Sequence, residues 1–244
     1  MQATLYAVPG SHPCAAVERA LELKRIPYVR EDLLPVVHRL QQRRRFGGPT
    51  VPGLELDGGE RVLGSRPILR RLEALAPEPA LWPADPAARV EVERAERWGD
   101  EVLQPVVRRI TWAALKRAPG AMTSFARDAE LPIPTRLAAL GASPIGWLGA
   151  RANGAADPQV RADLIGLAHH LDRIDGWIAS GVLGGSAPNT ADLQVGAGVR
   201  LLLCLGDLAP AVDRRPAGSL ARAQFSRFAG EVPAGALPAE WLPV

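Results

Sequence analysis

The chain of 244 residues is 47% apolar and 23% charged, with a net charge of +3. These are ordinary values for a soluble globular protein, with room for one large domain or two modest ones. Arginines interleave with acids except at Arg43-Arg44-Arg45, which reads most simply as a solvated face, so no nucleic-acid partner is expected.

The first elements alternate in type. Thr4 to Val8 reads as a short strand. Cys14 to Lys24 carries apolar residues at Val17, Ala20, Leu21 and Leu23 and suits a helix, with Pro13 in its first turn, where a missing N–H costs nothing. Tyr28 to Arg30 is a second strand and Val36 to Arg45 a short polar helix. Thr50 to Leu56 and Glu60 to Leu63 are strands around Asp57-Gly58-Gly59, a hairpin signal. Ser65 opens a helix with Ile68, Leu69 and Leu72 inward and Arg70, Arg71 and Glu73 outward. Ala76 to Asp85, "APEPALWPAD", reads as a linker.

From Pro86 onward no convincing strand is visible. Ala87 to Lys116 is expected to be one long amphipathic helix, bent near Pro105. Pro119 to Asn153 is expected to be mostly helix, interrupted at "LPIPT". Pro158 to Ile178 and Thr190 to Leu205 are strongly helical. The expected organisation is a small α/β domain over residues 1–77, a linker over 78–86 and an all-helical domain over 87–244.

The two cysteines, Cys14 and Cys204, stand in unrelated contexts, which is neither a disulfide framework nor a metal-ligand pattern. Free thiols suit a cytoplasmic protein. The apolar stretch Val195 to Leu208 is broken by Arg200 and Asp207 and is too short to span a bilayer, so no membrane partner is expected. No secretory signal is visible at the N-terminus. His169 and His170 are neighbours that a helix aims apart, which disfavours a metal site. Abundant Ala, Arg, Gly and Pro beside scarce Lys suggest a GC-rich genome.

Four places could carry chemistry. Ser11-His12-Pro13-Cys14 sets two hydroxyl or thiol nucleophiles at a helix start. Thr50-Val51-Pro52 places a proline at the head of a strand, as at a sheet edge or beside a cis bond that would turn the Val51 backbone outward. Gly64-Ser65-Arg66 opens a helix whose N-terminus suits either a simple serine cap or a carboxylate. Asn189-Thr190-Ala191-Asp192 reads as a capping box, a folding device.

Taken together, the leading strand, the Ser-x-Pro at a helix start, the Val-Pro before a strand, the hairpin, the serine at the next helix and the late capping box resemble the cytosolic glutathione S-transferases. The likeness in layout covers essentially the whole chain; it is specific only over residues 1–75 and 189–192. It implies a thioredoxin-like N-terminal domain followed by an all-α domain, glutathione as co-substrate, a small electrophile in the cleft between the domains, and a homodimer. Ser11-His12-Pro13-Cys14 is similar to the Ser-x-Pro-Ser stretch of the theta-like branch, so Ser11 is the implied thiolate stabiliser. Val51, before Pro52, resembles the residue whose backbone pairs with the cysteinyl unit. Ser65 matches the serine that holds the γ-glutamyl carboxylate. His38 and Arg39 fall near the residues that meet the glycyl carboxylate.

The sequence departs from the pattern at Gly64, where the family has Glu, and at Thr50, where it has Lys or Gln. Arg66 adds a charge that could bind an anion instead. Mycothiol, or no thiol at all, therefore stands beside glutathione, and a non-catalytic binding module stands beside the enzyme. Thiol–disulfide chemistry at Cys14 is a further alternative, although the apolar pattern favours Cys14 and Cys204 as core. His12 is expected at solvent, with a place at the cleft as the alternative. Trp98, Trp112 and Trp177 are expected to pack rather than line a site, although the long helix carrying Trp98 and Trp112 is where a second-substrate pocket would lie.

Overall fold

The computed structural model describes residues 2–131 and 141–242. Most of the "LPIPT" interruption thus lies outside the described residues. The N-terminal part runs β1 (Ala3–Ala7), α1 (His12–Leu23), β2 (Tyr28–Asp32), α2 (His38–Phe46), β3 (Gly53–Leu56), β4 (Arg61–Leu63) and α3 (Ser65–Leu75). The sheet order is β2-β1-β3-β4. β1 is parallel to β2, with Thr4 opposite Val29, and antiparallel to β3, with Leu5 opposite Leu54. β3 and β4 form the hairpin foreseen from Asp57-Gly58-Gly59, whose glycines take φ of 95° and 85°. This is a thioredoxin-like domain.

Alternation decides which face each strand buries: Ala3, Leu5 and Ala7 of β1 point inward. They meet Val17, Ala20 and Leu21 of α1 and Ile68, Leu69 and Leu72 of α3 in the core. β3 is shorter than the sequence suggested, starting at Gly53, one residue after Pro52, which has no N–H to give the ladder.

The segment after α3 is no loose tether. Leu81 and Trp82 are buried. The Leu81 N–H donates to Glu73, and its carbonyl accepts from the Thr190 N–H at 3.0 Å. Lys24, at the C-terminal end of α1, donates from Nζ to Glu73 Oε2 (2.6 Å), the Ala76 carbonyl (2.5 Å) and the Pro79 carbonyl (3.1 Å).

The rest is helical: α4 (Pro86–Trp98), α5 (Gln104–Arg117), α6 (Met122–Phe125), α7 (Ala142–Ala152), α8 (Asp157–Ala179), α9 (Thr190–Leu202), α10 (Ala209–Asp213) and α11 (Pro216–Gln224). α4 and α5 are joined without a break by a π-helical turn at Gly99–Leu103, just ahead of Pro105. Asp85 caps α4 by accepting from the Ala88 N–H, and Pro86 fills its first turn. The capping box at α9 is present as read: Asn189 accepts from the Ala191 and Asp192 N–H groups, and Asp192 accepts from the Asn189 N–H. α9 is the central helix, buried along nearly its whole length and packed on α1, α4, α5 and α11. Among the described residues no helix is long and apolar enough to cross a membrane, and no cluster of His, Cys, Asp or Glu is arranged to hold a metal.

Candidate functional site

A cleft of ≈ 690 Å³ lies where the sheet end of the N-terminal domain faces α5, α6 and α7. Ser11, His38, Arg39, Val51, Ser65 and Arg66 all line it; Pro52 stands behind Val51. Residues far apart in sequence thus converge on one concave surface.

Ser11 is the N-cap of α1, half-buried, and its side chain makes no capping hydrogen bond. The hydroxyl remains beside the open end of α1, where the helix dipole favours an anion. Its near neighbour is the Cys14 thiol, one turn inside the helix. Cys14 is buried; burial pushes its thiol up to about 12, and the Ser11 hydroxyl offsets only part of that shift. Cys14 is therefore a protonated core thiol at neutral pH, unlike the low-pKa, accessible thiols that do exchange chemistry. Cys204 is buried too, and burial likewise raises its pKa.

The cis Val51-Pro52 bond sits directly on the cleft. Among the described residues neither the N–H nor the C=O of Val51 has a hydrogen-bond partner, whereas the next carbonyl, that of Pro52, accepts from the Gly64 N–H at 2.9 Å. A free donor and acceptor side by side suit an extended peptide-like ligand, as a strand edge does. Gly64 holds φ of 92°, a conformation that an L side chain rarely adopts.

Ser65 is buried at the first turn of α3, and its Oγ accepts from Gln194 Nε2 at 2.8 Å. That leaves the hydroxyl proton free to donate. Gln194 escaped the sequence reading: it stands on α9, and nothing in its neighbours marks it as a partner of Ser65.

Arg66 does not stand free. It faces Glu96 at 3.6 Å, Glu101 at 3.4 Å and Asp100 at 3.9 Å. Fully buried Glu96 takes a bidentate pair from Arg70 as well. Arg39 crosses the cleft to the Ala152 carbonyl at 3.4 Å. His38 starts α2 with Nδ1 buried and unpaired, and burial lowers its pKa to about 4, so it is neutral at pH 7. Before it, Val36 takes φ of 68°, unusual for a β-branched residue and a kind of strain that gathers at ligand sites.

His12 is not at solvent. As the first residue of α1 it turns under the helical domain and is buried, with Nε2 unpaired at the cleft wall. Burial first, then the Arg108 charge, lowers its pKa to about 3. Of the tryptophans, Trp112 lines the cleft, while Trp98 and Trp177 pack edge to face at 5.2 Å. The helical domain adds Arg108, which sequence pattern alone did not single out.

Residues 5–80 match the family described as glutathione S-transferase, N-terminal domain. Among curated proteins no sequence is significantly similar. Among solved structures, a glutathione S-transferase of Methylobacterium radiotolerans in complex with glutathione sulfonate is 20% identical, with a TM-score of 0.60 over 93% of this chain and 92% of that one. The beta-etherase LigF of Sphingobium sp. strain SYK-6 is 21% identical, with a TM-score of 0.64 over 93% and 99%. FzlA of C. crescentus is 19% identical, with a TM-score of 0.62 over 99% and 98%. At such identities the likeness lies in the fold.

Proposed function

We propose that the chain is a divergent member of the glutathione S-transferase family, on the match of residues 5–80 to that family's N-terminal domain and on a fold shared along nearly the whole length, and that it transfers the sulfur of a low-molecular-weight thiol, glutathione first, to a small electrophile. The observation that carries this reading is the Ser11 hydroxyl: uncommitted as a helix cap, placed at the dipole end of α1, in one cleft with the unpaired Val51 backbone and Ser65.

The thiol's carboxylate end would rest on Ser65 and the N-terminus of α3, with Gln194 orienting the hydroxyl. Its backbone-like middle would pair with Val51, next to Pro52. His38 and Arg39 would meet the far carboxylate, Arg39 as the charge and His38 as a neutral hydrogen-bonding ring. A free thiol has a pKa near 8.5 and is mostly protonated at pH 7. Ser11 donating to sulfur stabilises the thiolate over the thiol, and the open end of α1 adds to it. The thiolate attacks the electrophilic carbon; the carbon–sulfur bond forms as the leaving group departs with its electron pair. Ser11 forms no covalent intermediate. Arg66, tied to three acids, is assigned to structure rather than to the thiol. A cytoplasmic setting and a homodimer complete the proposal.

The test is titration calorimetry with glutathione and with mycothiol, beside a conjugation assay with 1-chloro-2,4-dinitrobenzene. Ser11→Ala is expected to lower kcat by about 10²-fold, since one donor to a developing or resident anion is worth that much, with little change in thiol affinity and with the pH inflection moved toward the free thiol's. No thiol binding at millimolar concentration sinks the proposal. Binding without turnover selects the binding-module alternative that Gly64 raises.

A further inference from the structure

We infer that the helical wall of the cleft selects an acceptor carrying its own anion: an apolar molecule bearing a carboxylate or sulfonate, seated on the guanidinium of Arg108. This deepens the transferase reading and rests on it only for calling that molecule the acceptor.

The argument begins with the charges around the cleft. Among the described residues three arginines line it, Arg39, Arg66 and Arg108, against a single carboxylate, Asp100. Arg66 is absorbed by Glu96, Glu101 and Asp100. Arg39 has a backbone carbonyl. Arg108 has only an uncharged partner among the described residues, the Gln104 side-chain carbonyl. The Gln104 amide in turn donates to Asp100 Oδ1 at 3.0 Å. Asp100, Gln104 and Arg108 succeed one another at four-residue intervals along the π turn and α5, so Gln104 stands as a neutral spacer that keeps the guanidinium off the carboxylate.

The result is a half-buried cation with no paired carboxylate among the described residues, in a pocket that is otherwise largely apolar. Burial lowers the Arg108 pKa, and Arg39 and Arg109 add like charge around it, although Asp100 opposes them. Arg109 is spent elsewhere, in a two-bond pair with Asp163. An arginine fork is shaped for carboxylate or sulfonate oxygens. Beyond it stand Trp112, Leu115, Met122, Phe125, Ile145 and Leu201. A pocket of this size and lining takes a drug-sized apolar body with one anchored polar group.

The probes are 8-anilinonaphthalene-1-sulfonate and its uncharged relative N-phenyl-1-naphthylamine, titrated by fluorescence into the full chain, with and without saturating glutathione. Wild type is expected to bind the sulfonate at least tenfold tighter than the amine. Arg108→Gln should lose about tenfold on the sulfonate and leave the amine unchanged, the scale of one charge-assisted hydrogen bond. Arg108→Lys, keeping the charge without the fork, should fall between. Equal affinities of wild type for the two probes overturn the inference, as does an equal loss on both in Arg108→Gln. Competitive displacement of the sulfonate by glutathione, with glutathione affinity lost in Arg108→Gln, would assign Arg108 to the thiol and also overturn it. Charge discrimination with no glutathione binding would leave this inference standing and remove the thiol reading.

Discussion

Lys24 brings a charge to the inner end of α1 and finds one carboxylate and two carbonyls waiting. Its side chain is fully buried, and its three donors go to Glu73, Ala76 and Pro79. Removing it would strip Glu73 of its cation and, among the described residues, leave the Ala76 and Pro79 carbonyls unpaired at the point where α3 passes into the Pro-rich strap. Lys24→Met is expected to cost about 2–4 kcal/mol, because breaking a buried pair strands its partner. Urea denaturation at pH 7 measures it, and a loss under about 0.5 kcal/mol would refute this account. The sequence showed a charge at a helix end and nothing of its partners, which lie some fifty residues on. His12 is the same lesson in reverse: beside a proline turn it looks solvent-facing, and only the helical domain above it makes it buried. Ser11, Val51 and Ser65 were legible because the backbone features that place them are local: a helix start, a strand head and a second helix start. Gln194 and Arg108 were not, since their roles arise from packing across the cleft.

Among the elements, α9 is the one most fully specified by its own sequence. Asn189 and Asp192 exchange bonds in a capping box, Asp192 also accepts from the Gly184 N–H at 2.8 Å, and Asn189 donates to the Val182 carbonyl at 2.9 Å. Asn189→Ala should cost about 1–2 kcal/mol, at the upper end for a cap because the bonds are half-buried. Chemical denaturation reads it; a change within error would show that the cap is redundant. The hairpin at Asp57-Gly59 and α3 were equally legible, from turn chemistry and from apolar spacing. The joint between α4 and α5 was not. A proline in a long helical run suggests a bend at the proline, yet the irregular turn lies at Gly99–Leu103, where missing side-chain bulk lets Gly99 press against Gln194 and Val195 of α9. That close approach follows from tertiary packing, which helical periodicity does not encode.

At the scale of the molecule, the cleft between the two domains is lined by two histidines that change charge in acid, buried His12 and half-buried His38. His12 and His38 have folded pKa values near 3 and 4 against about 6.5 when unfolded. Both are depressed, so the unfolded chain binds more protons below pH 6.5, and stability is full above that value and lost as pH falls toward the folded values. Between pH 6.5 and 5 the loss approaches a ceiling of about 1.4 kcal/mol per pH unit from His12. His38 adds less, since solvent reaches part of its ring. His12→Gln should flatten this slope without reversing it, seen as a smaller fall in Tm from pH 7 to 5. An unchanged slope would mean that His12 does not couple protonation to folding.

The seam between the domains has a further consequence. Ser65 is held by Gln194, Leu81 by Thr190, and α1 lies along α9. A hybrid joining the first 85 residues to another chain's helices would keep half of each bond and bare the inner face of α1. Recombination therefore offers this molecule no easy route to new chemistry. Its two halves must be inherited together, and a change of ligand preference has to come by single substitutions along the helical wall, at positions such as 112 and 115 that line the cleft.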